Sequence, residues 1–329
     1  MENTAKRELT IHDSVYGTAT ITSPVLITLI ESRPVQRMKK IGQNGVPDEF
    51  YYLKNFSRYD HCVGVMLLLR LLGASEEEQI AGLLHDVSHT AFSHLTGWIF
   101  HNGGKQGSKE DYQDLQHARV ILASEIPRIL ETFGYQAERI GDYHHHFGLL
   151  ERNIPDLCAD RIDYSLREFP LPIARRCVAA MTVHVNKIVF QDEASATLFA
   201  THFLECQKTH WGGFEAATRY ELFSRALKRA LQLGLVQPDD FWQDDEYVMK
   251  KIIDSSDKEL QKIFAVLRYK SLAHFPREQK PVYSKFRYVD PEFLHAGGLA
   301  RLTDVNPAFK QEVEIARNKT LRGIYPVAV

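Results

Sequence analysis

Cysteine is scarce in this chain. Four stand in 329 residues, Cys62, Cys158, Cys177 and Cys206. Their spacing fits neither a zinc-ligand pattern nor a disulfide framework, so they read as reduced thiols in a cytoplasmic protein. Long apolar runs are missing as well. No stretch could span a membrane, and Met1 to Glu8 has no apolar signal core. The charge is nearly balanced: 40 Lys and Arg against 42 Asp and Glu give a formal net charge of −2. That balance offers no general surface for nucleic acid, and no nucleic-acid or membrane partner is expected. Repeats, coiled-coil heptads and low-complexity tracts are absent too. What remains is 44% hydrophobic and 25% charged, the composition of an ordinary globular protein. The length suits one large domain with a C-terminal extension.

Histidine is what the chain has in excess. There are fifteen, and they gather between His85 and His146. The stretch from Gly82 to His94 carries apolar residues straight into the adjacent pair His85-Asp86, with His89 and His94 following. Ser75-Glu76-Glu77-Glu78 has the form of a capping box, so a helix starts there and ends near the pair. Neighbouring side chains diverge on a regular helix, so two adjacent residues grip one ion most easily where a helix ends.

Further ligands must come from elsewhere. Upstream, Ser57-Arg58-Tyr59-Asp60-His61 leads into an apolar helix. Downstream, Asp160-Arg161-Ile162-Asp163-Tyr164 sits in a helix expected to begin near Pro155. His61, His85, Asp86 and Asp160 then form the pattern H…HD…D. Unpaired buried charge is costly, and a shared cation would remove that cost. Imidazole with carboxylate suits Mn, Mg, Fe, Co, Ni or Zn, and the expectation is one divalent ion per chain.

On these residues the chain resembles the HD-domain metal-dependent phosphohydrolases, most closely the deoxynucleoside triphosphate triphosphohydrolase branch. Three further segments carry the likeness: His12-Asp13-Ser14-Val15-Tyr16-Gly17, Arg37-Met38-Lys39-Lys40-Ile41-Gly42, and Arg167-Glu168 after Tyr164. It covers roughly residues 10 to 185, and its motifs are strong as a set and weak singly.

The resemblance implies roles for other residues. Arg58 and Arg161 stand where the family places phosphate-binding cations, and Arg forks match phosphate oxygens. Tyr164 and Glu168 share a helix face with Asp160 and would contact the sugar of a nucleotide. His89, His94 and His117 would supply general acid or phosphate charge. Lys40 stands where the branch carries a glutamine near the base, which puts it among the substrate-binding candidates. The chain also departs from the branch at Ser88, Ala91 and Ala118, in place of a glycine, a proline and an acid. The natural substrate stays open.

The expected reaction is metal-assisted hydrolysis of a nucleotide or related phosphate ester or anhydride. Two alternatives remain. A two-metal HD phosphodiesterase or oxygenase would recruit His117 and one of His144-His145-His146, which otherwise reads as a solvent-facing run. A nucleotide-binding regulator would keep the pocket without turnover. A homo-oligomer is compatible with either.

The expected fold is mainly α, an HD-domain helical core with a smaller mixed α/β C-terminal region. Residues 1–185 would form the core with short N-terminal strands, and 186–329 would pack on it. Among the elements expected are one helix over Asp111–Glu131 and a helix over Arg139–Glu151. Strands are expected over Thr182–Phe190, Val282–Val289 and Ile324–Val329. Gly103 to Ser108 reads as an exposed loop.

Overall fold

The computed structural model describes residues 7–51, 55–100 and 112–329. The expected loop from Gly103 to Ser108 lies outside the described residues.

The chain opens on a hairpin, β1 (Leu9–Asp13) and β2 (Gly17–Ile21), paired antiparallel from Leu9 opposite Ile21 to Asp13 opposite Gly17. Gly17 takes the positive φ of 81° that this tight reversal needs. Helices α1 (Pro24–Glu31) and α2 (Arg33–Arg37) follow. Two helices buried for most of their length come next, α3 (Arg58–Leu71) and α4 (Glu76–Leu84). Ser57 caps α3 in a full capping box with Asp60. At α4 only half of the expected box forms. Ser75 Oγ accepts from Glu78 N, but the Glu78 carboxylate turns away to accept from Leu149 N and Leu150 N at 2.8 and 3.1 Å.

Helices α5 (Leu95–Phe100), α6 (Tyr112–Leu122), α7 (Ile126–Thr132), α8 (Ala137–Gly141) and α9 (Tyr143–His146) are short. The single helix expected to Glu131 is therefore two, because the chain turns at Ser124 and restarts with Pro127 in its first turn. The helix expected over Arg139–Glu151 also breaks, at Asp142 and after His146. Helix α10 (Ala159–Glu168) starts four residues after Pro155, whose peptide bond is cis and belongs to the preceding loop.

After α11 (Leu171–Ala179), the single strand expected over Thr182–Phe190 is a hairpin, β3 (Met181–His184) with β4 (Lys187–Phe190). Val185 and Asn186 take positive φ at its turn. Next come α12 (Glu193–Cys206), a π-helical turn over Gln207–Trp211, α13 (Phe214–Gln232), α14 (Asp245–Ile252) and α15 (Lys258–Leu267). The segments expected as strands at 282–289 and 324–329 make only isolated bridges, Val282 with Ile324 and Arg277 with Val327. The strand pair that alternation did not reveal is β5 (Glu292–His295) with β6 (Gly298–Arg301). β5 joins β4 in parallel, giving the order β3-β4-β5-β6. Helices α16 (Leu302–Val305) and α17 (Pro307–Leu321) close the chain. The fold is thus mainly helical, with its larger sheet in the C-terminal part. No described helix is long and apolar enough to cross a membrane.

Two apolar cores form. One joins α1, α3, α4 and α10 to α12 and α17; the other is built on α13, α14 and α15. Phe50 and Phe92 reach from the first half of the chain into the second core. The turn after His85-Asp86 is therefore gripped by the C-terminal part.

Candidate metal centre

Three helices deliver the H…HD…D residues to one point. His61 lies one turn into α3, His85 is the C-cap of α4, and Asp160 is in the first turn of α10. The two Nε2 atoms face each other at 3.2 Å, and Asp160 Oδ1 lies 3.0 Å from His61 Nε2 and 3.5 Å from His85 Nε2. Asp86 closes the group, 3.6 Å from His85 Nε2 and 3.7 Å from His61 Nε2. His61 is fully buried, and His85 and Asp86 nearly so.

The other nitrogen of each ring decides what these atoms are. His61 Nδ1 donates to Asp163 Oδ2 at 2.7 Å, and His85 Nδ1 donates to the carbonyl of Gly82 at 2.8 Å. Both partners can only accept, so each Nδ1 carries a proton, and each Nε2 points inward, where an ion would take the place of a second proton. Two inward ring nitrogens and two carboxylates converging in a buried space favour positive charge at that point. Burial opposes charge on both rings. The carboxylates outweigh it, Asp160 and Asp163 at His61 and mainly Asp86 at His85, and lift both above the ordinary imidazole range. The residues present therefore fit a divalent ion. Close ligand groups among the described residues include His61, His85 and Asp160, and also Cys62, His85 and Asp86.

A second layer holds the first. Asp163 is fully buried and gripped by Arg167, through Nε at 2.8 Å and Nη2 at 3.1 Å; Arg167 Nη2 also reaches Asp13 Oδ2 at 2.8 Å. Arg167 and burial act oppositely on Asp163, and the net effect keeps its carboxyl below the usual range. Gly64 on α3 makes room for this pair: a Cβ there would overlap both Arg167 Nη2 and Asp163 Oδ1. Glu78 supplies the other brace. It fixes Leu149 and Leu150, whose carbonyls accept from Ala159 N and Asp160 N. The start of α4 and the start of α10 are thereby tied together.

The chain is similar to known proteins. Residues 58–168 match the family described as the HD domain. The uncharacterized protein YdhJ of Bacillus subtilis is 34% identical over 96% of this chain and 98% of its own. The chain belongs to the HD-domain family. The metal-dependent phosphohydrolase cns2 of Cordyceps militaris is 28% identical over 87% of this chain and 85% of its own. The deoxynucleoside triphosphate triphosphohydrolase SAMHD1 of Gallus gallus is 25% identical over 41% of this chain and 25% of its own. A crystal structure of a hypothetical protein from Aquifex aeolicus covers 95% of this chain with a TM-score of 0.60 at 19% identity, which shows a shared fold. This HD-domain chain is a hydrolase of the metal-dependent phosphohydrolase kind.

Around the HD ligand group the other candidates divide. Arg58 is buried beside it. Its Nη1 pairs with Asp86 Oδ2 at 2.6 Å, Nε donates to Ser93 Oγ and Nη2 to the Gln43 carbonyl. With His85, Arg58 holds the Asp86 carboxyl well below its usual range against the effect of burial. His89 Nε2 lies 3.2 Å from Asp86 Oδ1, its Nδ1 is buried without a partner, and the His94 ring stands edge-on at 4.9 Å. Burial and then Arg58 take His89 down to about 4. His117 is buried one shell out, with Nδ1 3.3 Å from Ser88 Oγ and Nε2 unpartnered. Burial, aided by His85, takes it down to about 3, so the ring is neutral through the physiological range. Tyr164 is half-buried, its ring 6.4 Å from that of His61.

Three candidates are not delivered to the group. Arg161 turns its guanidinium to the Asp156 and Arg152 carbonyls and to Glu151, bracing the loop before α10. Glu168 accepts from His210 Nδ1 at 2.6 Å and Trp211 Nε1 at 2.8 Å, locking the π-helical turn to α10. Lys40 is exposed and faces Glu246 at 3.4 Å and Asp244 at 3.9 Å on the surface. His144, His145 and His146 are exposed, as expected.

Two contributors had no sequence signal. Gln43 Oε1 is buried without a partner beside Arg58. Asp245 of α14 accepts from Phe92 N at 2.7 Å and Gly42 N at 2.9 Å. Phe92 and Ser93 take φ of 61° and 50°, a conformation that costs a residue with a Cβ. Asp245 and the Arg58–Ser93 bond hold that turn in place.

Proposed function

We propose that this HD-domain chain binds one divalent ion through His61, His85, Asp86 and Asp160, and hydrolyses a phosphate ester or anhydride of a small phosphorylated substrate of the nucleotide class. The observation that carries the reading is the inward pair of Nε2 atoms at 3.2 Å, with both Nδ1 protons committed outward. Bound there, the ion would polarise a phosphoryl oxygen and lower the pKa of a coordinated water. Arg58 would orient a phosphate oxygen beside Asp86, using the charge-assisted fork that guanidinium offers. His89 keeps an unpartnered ring nitrogen in the same buried space, which suits holding a proton or a phosphoryl oxygen. His117 is neutral, which favours proton handling over a standing phosphate charge. Tyr164 lies at the outer edge, where the non-reacting part of a substrate would rest. The relatives named as a metal-dependent phosphohydrolase and as a triphosphohydrolase support the substrate class.

One ion per chain is favoured over two, because His117 and His144–His146 join none of the close ligand groups among the described residues. Elemental analysis of protein purified without chelator tests this. About one ion per chain is expected in the wild type and in His117→Ala, with hydrolysis in that variant slowed about 10²–10⁴-fold. A drop from two ions towards one in His117→Ala would establish the two-metal reading instead. A panel of nucleotides with Mn or Mg, assayed for phosphate and triphosphate release, identifies the substrate. No turnover on any phosphorylated compound would overturn the hydrolytic reading.

A further inference from the structure

The extended segment 285–290 crosses α10 without belonging to a sheet. Gln207 of the π-helical turn pins one end: its Oε1 accepts from Arg287 N at 3.2 Å and its Nε2 donates to the Lys285 carbonyl at 3.4 Å. At the other end Asp290 N donates to the Pro155 carbonyl at 3.0 Å. The same π-helical turn holds Glu168 at the end of α10, and Pro155 lies just before its start. The segment therefore spans the helix that carries Asp160 and Tyr164.

Alternation along an extended chain sends neighbouring side chains to opposite sides. Phe286 and Tyr288 take one side. Their rings stack at 5.7 Å and 19°, pack on the first core and lie under the Arg317 guanidinium. Arg287 is left for the other side, towards Tyr164 and Tyr220, both of which feel its charge. Arg58 is paired with Asp86, Arg161 with Glu151, Arg167 with Asp163 and Lys40 with Glu246. Arg287 alone among these cations has no carboxylate partner among the described residues, although it is half-buried.

We propose that Arg287 is an anion-binding residue that the C-terminal part adds to the site, gripping a phosphate of the substrate other than the one attacked. A half-buried guanidinium with open donors is matched by a phosphate, whose oxygens accept its fork. This rests on the phosphohydrolase reading for the reacting phosphate, but binding can be measured apart from turnover. The selected substrate would then be a nucleoside di- or triphosphate over a monophosphate.

The test is the affinity of the full-length, metal-loaded protein for inorganic tripolyphosphate by calorimetry. Arg287→Ala should weaken it about tenfold or more, the effect of losing a charge-assisted bond. Arg287→Lys should restore part of the loss. Lys280→Ala, which removes an exposed charge on the same chain, should leave it unchanged. Where turnover is found, Arg287→Ala should raise KM for a nucleoside triphosphate more than it lowers kcat. Unchanged tripolyphosphate affinity in Arg287→Ala, a loss that Lys280→Ala matches, or no binding by the wild type would each overturn the proposal. Arg287-dependent binding without hydrolysis would instead sustain it and refute the phosphohydrolase reading.

Discussion

The ligand group and the flank beyond Tyr164 are built on different physical terms. At the ligand group, each inward atom is backed by a named partner: Asp163 and Arg167 behind His61, the Gly82 carbonyl behind His85, Arg58 against Asp86. These partners sit on the helices that carry the ligands, or one turn away. At the flank, the wall is assembled from a π-helical turn, an extended segment and α13, all distant in sequence from α10. Buried charges must be satisfied completely or the group does not form, so the inner layer tolerates few arrangements. A wall that touches only substrate has many solutions. The inner layer would set the chemistry and the flank the substrate.

That contrast can be broken by mutation. The largest effect is expected from Asp160→Ala or His85→Ala. Bound metal should fall steeply and activity by about 10³-fold or more, the order seen when a preorganised electrostatic group is lost. Circular dichroism should show the helices kept. Full metal and activity in either variant would show that the ligand assignment is wrong.

A smaller effect should follow from the second layer. Asp163→Asn keeps the size of the side chain but weakens the orientation of His61, and metal affinity should fall about 10–100-fold. Gly64→Ala should act through the same pair, because its Cβ displaces Arg167 and Asp163. Metal titration followed by calorimetry separates these from the outright loss in Asp160→Ala. Affinity equal to wild type in both variants would leave the inner layer independent of its backing.

The smallest effects are expected where the structure turns a candidate away from the group. Arg161→Ala should lower the thermal midpoint through lost bonds to the Asp156 and Arg152 carbonyls, about 1.5–3 kcal/mol for a charged donor, with little change in KM. Lys40→Ala should alter stability by no more than about 0.5 kcal/mol and leave KM unchanged. A several-fold rise in KM in either variant would return that residue to the substrate.

The legible part of the site was the part with local constraints. Ser75 marks the start of α4, and the helix ends at His85. Asp160, Asp163 and Arg167 lie on one short helix, where positions three and four apart meet. Glu78 shows the limit: its spacing from Ser75 fits a capping box, but burial of the Leu149–Leu150 backbone offered its carboxylate two donors. Arg161 shows it again, for its position beside Asp160 says nothing of a neighbouring loop with free carbonyls. The strands misplaced at 282–289 and 324–329 have the alternation of a strand and lack a partner edge, while β5 and β6 found one.

The sequence by itself determined a helical HD-type protein and pointed to two histidines and two aspartates as candidate metal ligands, because periodicity, caps and the cost of buried charge act over a few residues. Only the tertiary structure decided that Asp13 backs Asp163 through Arg167, that Asp245 holds the Phe92 turn, and that Gln207 pins the segment carrying Arg287. Those contacts join residues 80 or more positions apart, and no local rule of spacing relates them. They exist because the C-terminal part packs against the helices that carry the histidines.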